Sequence, residues 1–415
     1  MTDTSQFAVN HDAKYHCCKV CSLVVTEVPL KVGQVAHCPR CEQKLYQRKK
    51  GALSIDFVLA LTCLILFIPT QIFDFVHIRL FGVMISASLT SGAIDLFEEG
   101  FVALSILIFF CCSVVPFLVF TSIISSHLAL KMNSIPLLKF TLSTLRNLKQ
   151  WVTLDVFLIS VTISCFKLKD YADIYFGSGL IVIIMLQLIT FLLVIRLDSR
   201  AYWEVIKPSF ESQNTDTSTM LHCHQCHLLQ PIKTKCSRCN SKLYWFKPYS
   251  VLKTWICVIA AALALIPANI LPISILLTNG KRLEDTIMSG IFSLINSQMY
   301  GIALIIFAAS IVVPVAKVIG LSYLLFNIQR GNDNEKRLRT KIYLTIKWIG
   351  RWSMMDLFVV AIMITLVDRG QILDFTPGYG AVAFGIAVAL TMIATESFDP
   401  KLIWLSPPEE KIESF

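Results

Sequence analysis

Eight apolar runs alternate with polar stretches along the chain, near residues 54 to 76, 101 to 130, 152 to 166, 177 to 197, 251 to 277, 300 to 328, 353 to 367 and 378 to 395. A hydrocarbon core of roughly 30 Å takes about 20 helical residues to cross, so the pattern predicts eight membrane spans in two groups of four. The runs starting at 152 and 353 are short and polar in their first turn, which leaves a core-facing or re-entrant helix as the alternative for each. Residues 1 to 50 and 211 to 248, ahead of the two groups, are polar and rich in cysteine. The first of these stretches lacks the apolar core of a cleavable signal, so the first span is expected to act as the anchor.

The two groups are copies of one arrangement. At a shift of 198 residues, Cys38/Cys41 meet Cys236/Cys239, Ile68-Pro69 meets Ile266-Pro267, Ser91-Gly92 meets Ser289-Gly290 and Val115-Pro116 meets Val313-Pro314. At a shift of 201, Trp151 and Asp155 meet Trp352 and Asp356, and Asp198 and Trp203 meet Asp399 and Trp404. A register kept this long marks a tandem duplication, which in membrane proteins usually places the working site at or between the repeats. The expected organisation is an N-terminal cysteine ribbon (1–50), a four-span block (51–210), a second ribbon (211–248) and a second four-span block with its tail (249–415). The fold class is an all-α polytopic membrane protein carrying two small β ribbons.

Composition agrees: 55% hydrophobic residues, 16% charged residues and a mean hydropathy of +0.65 are too apolar for a soluble protein of 415 residues. Lysine and arginine cluster before the first span (Lys44, Arg48, Lys49, Lys50), between the second and third (Lys131, Lys139, Arg146, Lys149) and in the matching loop of the second repeat (Arg330 to Arg351). The positive-inside rule puts these loops, both ribbons and both termini in the cytoplasm. The net charge of +9 then reflects topology and contact with anionic headgroups; it calls for no nucleic acid.

Nine of the 14 cysteines fall in the ribbon stretches. Cys18-x-x-Cys21 and Cys38-x-x-Cys41, then Cys223-x-x-Cys226 and Cys236-x-x-Cys239, have zinc-ribbon spacing, because each knuckle turns two thiolates toward one tetrahedral ion. In a reducing compartment disulfides are disfavoured. Two structural zinc ions are therefore expected, although iron would sit in the same cage and Cys17 is an alternative ligand. His37, His222, His224 and His227 are read as surface or outer-sphere groups. Closed four-ligand sites leave no open position for catalysis. No phosphate loop, nucleophile elbow or His-Glu-x-x-His helix is present in the sequence, so an enzyme is not expected.

Ionisable groups inside spans are costly and face polar cavities or partners. Lys317 lies deep in the sixth run and Asp356 at the start of the seventh, where the two could pair; Thr391 in the eighth could add a hydroxyl. The first repeat keeps the acid, Asp155, but has Val119 in place of the lysine, so the second repeat is the better candidate for ion or proton coupling. For Asp155 and Asp356 the plain alternative is an acid favoured by a helix N-terminus, and for Thr391 a bond to its own helix backbone. Pro69 and Pro267 break the first span of each block, as a kink or as a functional opening.

The ribbons ahead of two four-span blocks, Ile266-Pro267-Ala268-Asn269-Ile270-Leu271-Pro272, Ser310-Ile311-Val312-Val313-Pro314 with Lys317, Gly350-Arg351-Trp352-Ser353-Met354-Met355-Asp356 and Phe398-Asp399-Pro400 resemble the paraquat-inducible protein A family. The resemblance covers nearly the whole chain, with the more specific motifs in the second half. It implies an inner-membrane component of a Gram-negative envelope system that passes phospholipid to a periplasm-spanning MCE-domain tunnel protein. It also implies zinc on the eight knuckle cysteines and a polar network of Lys317 and Asp356. A membrane thiol-redox protein and an ion-coupled small-molecule exporter are the alternatives.

Overall fold

The computed structural model describes residues 15–31, 33–47, 53–80, 83–168, 173–206, 220–278, 281–331, 335–367 and 373–404. The first ribbon is two antiparallel hairpins, β1 (Tyr15–Cys17) with β2 (Val24–Thr26) and β3 (Val35–His37) with β4 (Lys44–Gln47). Helix α1 (Leu53–Ile72) follows, then a hairpin of β5 (Val76–Leu80) and β6 (Val83–Ala87) and the short helix α2 (Ser91–Glu98). Helices α3 (Val102–Phe109) and α4 (Val115–Lys131) form one 30-residue rod through a π-helical turn at 110–114. Next come α5 (Ile135–Leu148), α6 (Leu154–Leu168), strand β7 (Asp173–Phe176), α7 (Ser178–Arg196) and α8 (Ser199–Ile206).

The second repeat runs in the same order. Its ribbon has β8 (Met220–His222) paired with β9 (Leu229–Pro231). Its block has α9 (Ser250–Ile270), β10 (Ser274–Thr278), β11 (Lys281–Asp285), α10 (Ile287–Asn296), α11 (Tyr300–Phe307) and α12 (Val313–Gln329), the last two joined by a π-turn at 308–312. Then follow α13 (Lys336–Ile349), α14 (Met355–Val367), β12 (Leu373–Pro377) and α15 (Tyr379–Ser397).

The duplicated motifs now have local causes. Ser88 and Ser91 exchange side-chain-to-backbone bonds at 3.0 and 3.3 Å ahead of α2, and Thr286 and Ser289 do the same at 2.9 and 3.2 Å ahead of α10. The second is a capping box that satisfies amides the helix leaves open, and the first is the same reciprocal pair in the turn leading into α2. Pro116 and Pro314 are the second residues of α4 and α12, immediately after the π-turns. Proline has no N–H and crowds the preceding turn, so the extra residue of the π-turn absorbs the break while the rod continues. Pro69 and Pro267 sit in the last turn of α1 and α9, which end at Ile72 and Ile270. They mark the end of a span; the helices run unbroken up to them.

Among the described residues, six helical segments are long and apolar enough to cross a membrane: α1, α3–α4, α7, α9, α11–α12 and α15. Their surfaces are turned inside out relative to a soluble protein. Helix α9 exposes Leu252, Ile256, Ile259, Leu263, Ile266 and Ile270 at helical spacing while burying Thr254, Ala261 and Ala268. Lipid solvates large apolar side chains, so small and polar ones go to the helix contacts, and α9 packs extensively on the small-residue face of α15. The expected spans at 152–166 and 353–367 are α6 and α14, of 15 and 13 residues. They still carry the chain from end to end, because α5 lies at the ribbon end and β7 pairs with β5 at the other.

Two expected spans were too long. The runs 54 to 76 and 251 to 277 each continue from helix into strand, at Val76 and Ser274. Hydrophobicity alone cannot separate a buried helix end from an apolar strand. The strands build a three-stranded antiparallel sheet per repeat, in the orders β6-β5-β7 and β11-β10-β12.

The repeats meet along α6 and α14. Phe157 and Phe358, equivalent positions, pack edge to face with ring centroids 5.8 Å apart, and Ser160 Oγ donates to the Met355 carbonyl at 3.0 Å. A contact between equivalent residues is the signature of a two-fold relation, here between parallel repeats.

Candidate metal centres and an intramembrane lysine site

Each knuckle is built by the same turn. Ser22, Glu42, His227 and Asn240, the residues just after the second cysteine, all adopt left-handed backbone with φ between 54 and 60°. Their amides return to Cys18, Cys38, Cys223 and Cys236 carbonyls at 2.8–3.0 Å. A left-handed non-glycine residue costs on the order of 1 kcal/mol, and here it turns both thiols of a knuckle to one side. Cys18 and Cys41 lie 3.5 Å apart at sulfur, as do Cys21 and Cys38; Cys223–Cys239 and Cys226–Cys236 are 3.6 and 3.4 Å apart. All four ligand atoms of each group fall within 4.8 Å of one another, and every cysteine is buried. A tetrahedron with metal–sulfur bonds of about 2.3 Å has edges of about 3.8 Å, so both cages fit a thiolate-bound ion.

Electrostatics within the cages point the same way. A hydrogen bond from Cys21 holds the Cys18 thiol down at about 5, while the same contact pushes Cys21 up. Bonds from Cys223 and Cys226 hold Cys236 near 6, and Cys226 is pushed up in return. One thiolate is thus stabilised at its neighbour's expense, and four together need a cation. Cys17 is outside the cage: it faces the Cys18 carbonyl at 3.7 Å, and burial raises its thiol to about 11. The histidines are outside as well. His37 Nδ1 contacts the Glu42 carbonyl at 2.9 Å, His227 Nδ1 meets His222 Nε2 at 3.3 Å, and His224 Nε2 meets Lys401 Nζ at 3.0 Å. Elemental analysis of the purified chain is expected to find two metal ions per chain, and one in Cys38→Ser or in Cys236→Ser. Fewer than one in the unmodified chain would remove the assignment.

Inside the second block, Lys317 of α12 is 1% exposed. Its Nζ donates to the Gly350 carbonyl at 2.9 Å and reaches Thr391 Oγ1 of α15 at 3.4 Å. Thr391 also bonds its own helix, donating to the Val388 carbonyl at 2.8 Å, so its oxygen lone pairs stay turned to the lysine. Gly350 opens a 3-10 turn, Gly350–Met354, that interrupts the passage from α13 to α14. A hypothetical Cβ there would come within 3.9 Å of Lys317 Cε. The sequence motif contained Gly350, but its role as the acceptor was not legible, because a backbone carbonyl leaves no residue-type signal.

Asp356 is the second residue of α14, and its side chain lies outside the described residues. Asp155 is half-buried in the first turn of α6. In the first repeat, Val119 is buried at the position matching Lys317, and Thr190, matching Thr391, contacts Cys63 at 3.8 Å. The first block therefore has the threonine without the lysine.

The model of the paraquat-inducible protein A family matches residues 55–207 and again 251–406. The chain is 35% identical to lipophilic envelope-spanning tunnel protein A of Escherichia coli K12, over 94% of this chain and 91% of that protein. It is 34% identical to a probable intermembrane transport protein of Haemophilus influenzae, over 92% and 93%. With intermembrane transport protein PqiA of Escherichia coli K12 it shares 30% identity, over 97% and 99%. No solved structure matches the chain.

Proposed function

The chain belongs to the paraquat-inducible protein A family, and from that membership we propose that it is an inner-membrane lipid-transport component of a Gram-negative envelope. It passes phospholipid between the bilayer and a periplasm-spanning MCE-domain partner, using the polar site around Lys317, with Asp356, Thr391 and Asp155 as further members of the network. It is a transporter, not an enzyme; its relatives' names speak of transport and of a tunnel.

The observation that carries the reading is the buried amine of Lys317, held by a carbonyl and a hydroxyl inside the helix bundle. A charge in such a place is expensive unless it works, and proton or ion coupling is the work proposed for it. The metal bound by the ribbons is zinc in this reading and is structural. The thiol-redox alternative loses its eight knuckle cysteines to closed cages, since thiolates held by a metal are poor nucleophiles toward disulfides.

The bilayer position follows from aromatic side chains. Tyr175, Phe176 and Tyr379 are exposed at the end bearing the sheets, and Tyr249 and Trp348 at the ribbon end. Helix α7 between these levels is 19 residues long, about 28 Å of rise. Such belts sit at headgroup level. With the ribbons in the cytoplasm, a fluorescent-protein fusion after residue 415 is expected to fluoresce and an alkaline-phosphatase fusion there to be inactive. The reverse pair would invert the proposed orientation.

Purification from native membranes in mild detergent tests the functional reading. The expected eluate contains an MCE-domain protein and bound phospholipid in amounts comparable to the chain. A soluble small molecule bound in place of lipid would favour the exporter.

A further inference from the structure

Each ribbon packs its knuckles against the block of the other repeat and keeps polar ties to the block it precedes. The knuckle cysteines of the first ribbon share a buried cluster with Val20, Leu23, Leu45 and Trp404, the last described residue of the second block. The Arg40 guanidinium lies over the Trp404 ring at 5.4 Å, and Glu42 pairs with Lys341 of α13 at 3.5 Å. The four cysteines of the second ribbon instead share a buried cluster with Leu138, Leu142 and Leu145 of α5 and with Trp203 of α8. Gln225 Nε2 donates to the Lys139 carbonyl at 3.0 Å, and Arg146 Nη1 to the His224 carbonyl at 2.6 Å. Trp203 and Trp404 are equivalent positions, so each repeat offers the same seat and the ribbons occupy them crosswise. The equivalent basic residues Arg200 and Lys401 reach back to His16 and His224, a histidine of each repeat's own ribbon.

The seat of the first ribbon is mechanically close to the lysine site. Trp404 Nε1 donates to Thr340 Oγ1 of α13 at 2.9 Å, next to Lys341, which meets Glu42. Helix α13 then runs without a break to Gly350, whose carbonyl accepts from Lys317. Along the way Ile346 packs so closely on Gly320 of α12 that a Cβ there would collide with it. One rigid helix therefore joins the first ribbon to the acceptor of the buried ammonium. The first block has no lysine at the matching position, so its ribbon supports no such acceptor.

We propose that the first ribbon is a metal-dependent strut for the second block: its ion fixes the knuckles that grip Trp404 and Lys341, and α13 transmits that grip to the Gly350 carbonyl. The second ribbon performs the same mechanical service for α5 and α8 of the first block. The strut rests on the functional reading above only for its purpose, not for its existence, and its test reads backbone opening without any transport assay.

Hydrogen exchange on the purified full-length chain decides the matter, since amide exchange reports local opening segment by segment. In Cys38→Ser, exchange should quicken about tenfold in 336–349 and stay unchanged in 135–148. Cys236→Ser should quicken 135–148 and leave 336–349 unchanged. Should Cys38→Ser fail to accumulate, the double variant Arg40→Ala/Glu42→Ala keeps every metal ligand and should still quicken 336–349. Unchanged exchange there, or loosening of 135–148 when the first ribbon is altered, overturns the strut. Lys317→Met separates the two ideas: it should leave exchange at 336–349 as it is, so a silent Lys317→Met in transport removes the functional reading while the strut stands.

Discussion

Lys317→Met is expected to abolish lipid movement while leaving the protein folded, inserted and loaded with metal. Methionine keeps the length and volume of the lysine stem but has no charge and no donor. Replacing a buried charge by an apolar group of similar volume is often neutral or stabilising by about 1–4 kcal/mol, against which stands the Gly350 carbonyl left without a donor, at about 1–3 kcal/mol. Stability is therefore expected to stay within about 2 kcal/mol of the parent, and a thermal melt in detergent would register it. Function would vanish, because the ammonium is the group proposed to carry or sense the coupled ion. Asp356→Asn should also abolish movement, and Asp155→Asn should be milder because its repeat has Val119 where the second has the lysine. Equal, small effects of the two aspartate changes, with full activity in Lys317→Met, would identify the acids as helix N-terminal residues of structural value only.

Gly378→Ala is expected to cost stability where Lys317→Met does not. Gly378 has φ −87° and ψ 164°, an extended conformation open to any residue, so its glycine is needed for space. Its amide donates to the Ile273 carbonyl at 2.8 Å, and a Cβ would collide with the Pro272 carbonyl oxygen. The first repeat repeats the arrangement, with Gly177 against Asp74 and its amide on Phe75. In both places the start of the last span is pressed against the chain leaving the first, which closes the sheet end of the bundle. A methyl group driven into backbone cannot be absorbed by a rotamer change, and about 3 kcal/mol or more of destabilisation follows. Gly301 in α11 is the control: nothing lies within 4 Å of its hypothetical Cβ, so Gly301→Ala should be neutral or stabilising by up to about 1 kcal/mol. Melting temperatures of the two variants check the contrast, and similar values for both would contradict it.

The features legible in the sequence were those written locally. Cys-x-x-Cys spacing is a property of one turn, and the structure places the eight knuckle cysteines in two closed cages. The duplication was legible because paired motifs such as Ser91-Gly92 and Ser289-Gly290 mark the same helix starts in both repeats. Three things were hidden for physical reasons. The stretch Ile270 to Leu277 stays apolar across a helix end and into a strand, so its hydrophobicity carried no boundary. The π-turns before Pro116 and Pro314 are hydrogen-bond shifts within continuous apolar helix. The crosswise seating joins Arg40 to Trp404 across nearly the whole chain, a contact that neither spacing nor period encodes.

The membrane blocks are proposed to move lipid, with Lys317 required for the movement. The most direct measurement reconstitutes the chain, together with whatever protein co-purifies with it, into proteoliposomes carrying labelled phospholipid and follows transfer of the label to acceptor vesicles. Transfer well above protein-free vesicles by the parent, lost in Lys317→Met at equal incorporation, is the expected result. Equal transfer by parent, Lys317→Met and protein-free vesicles would contradict the account.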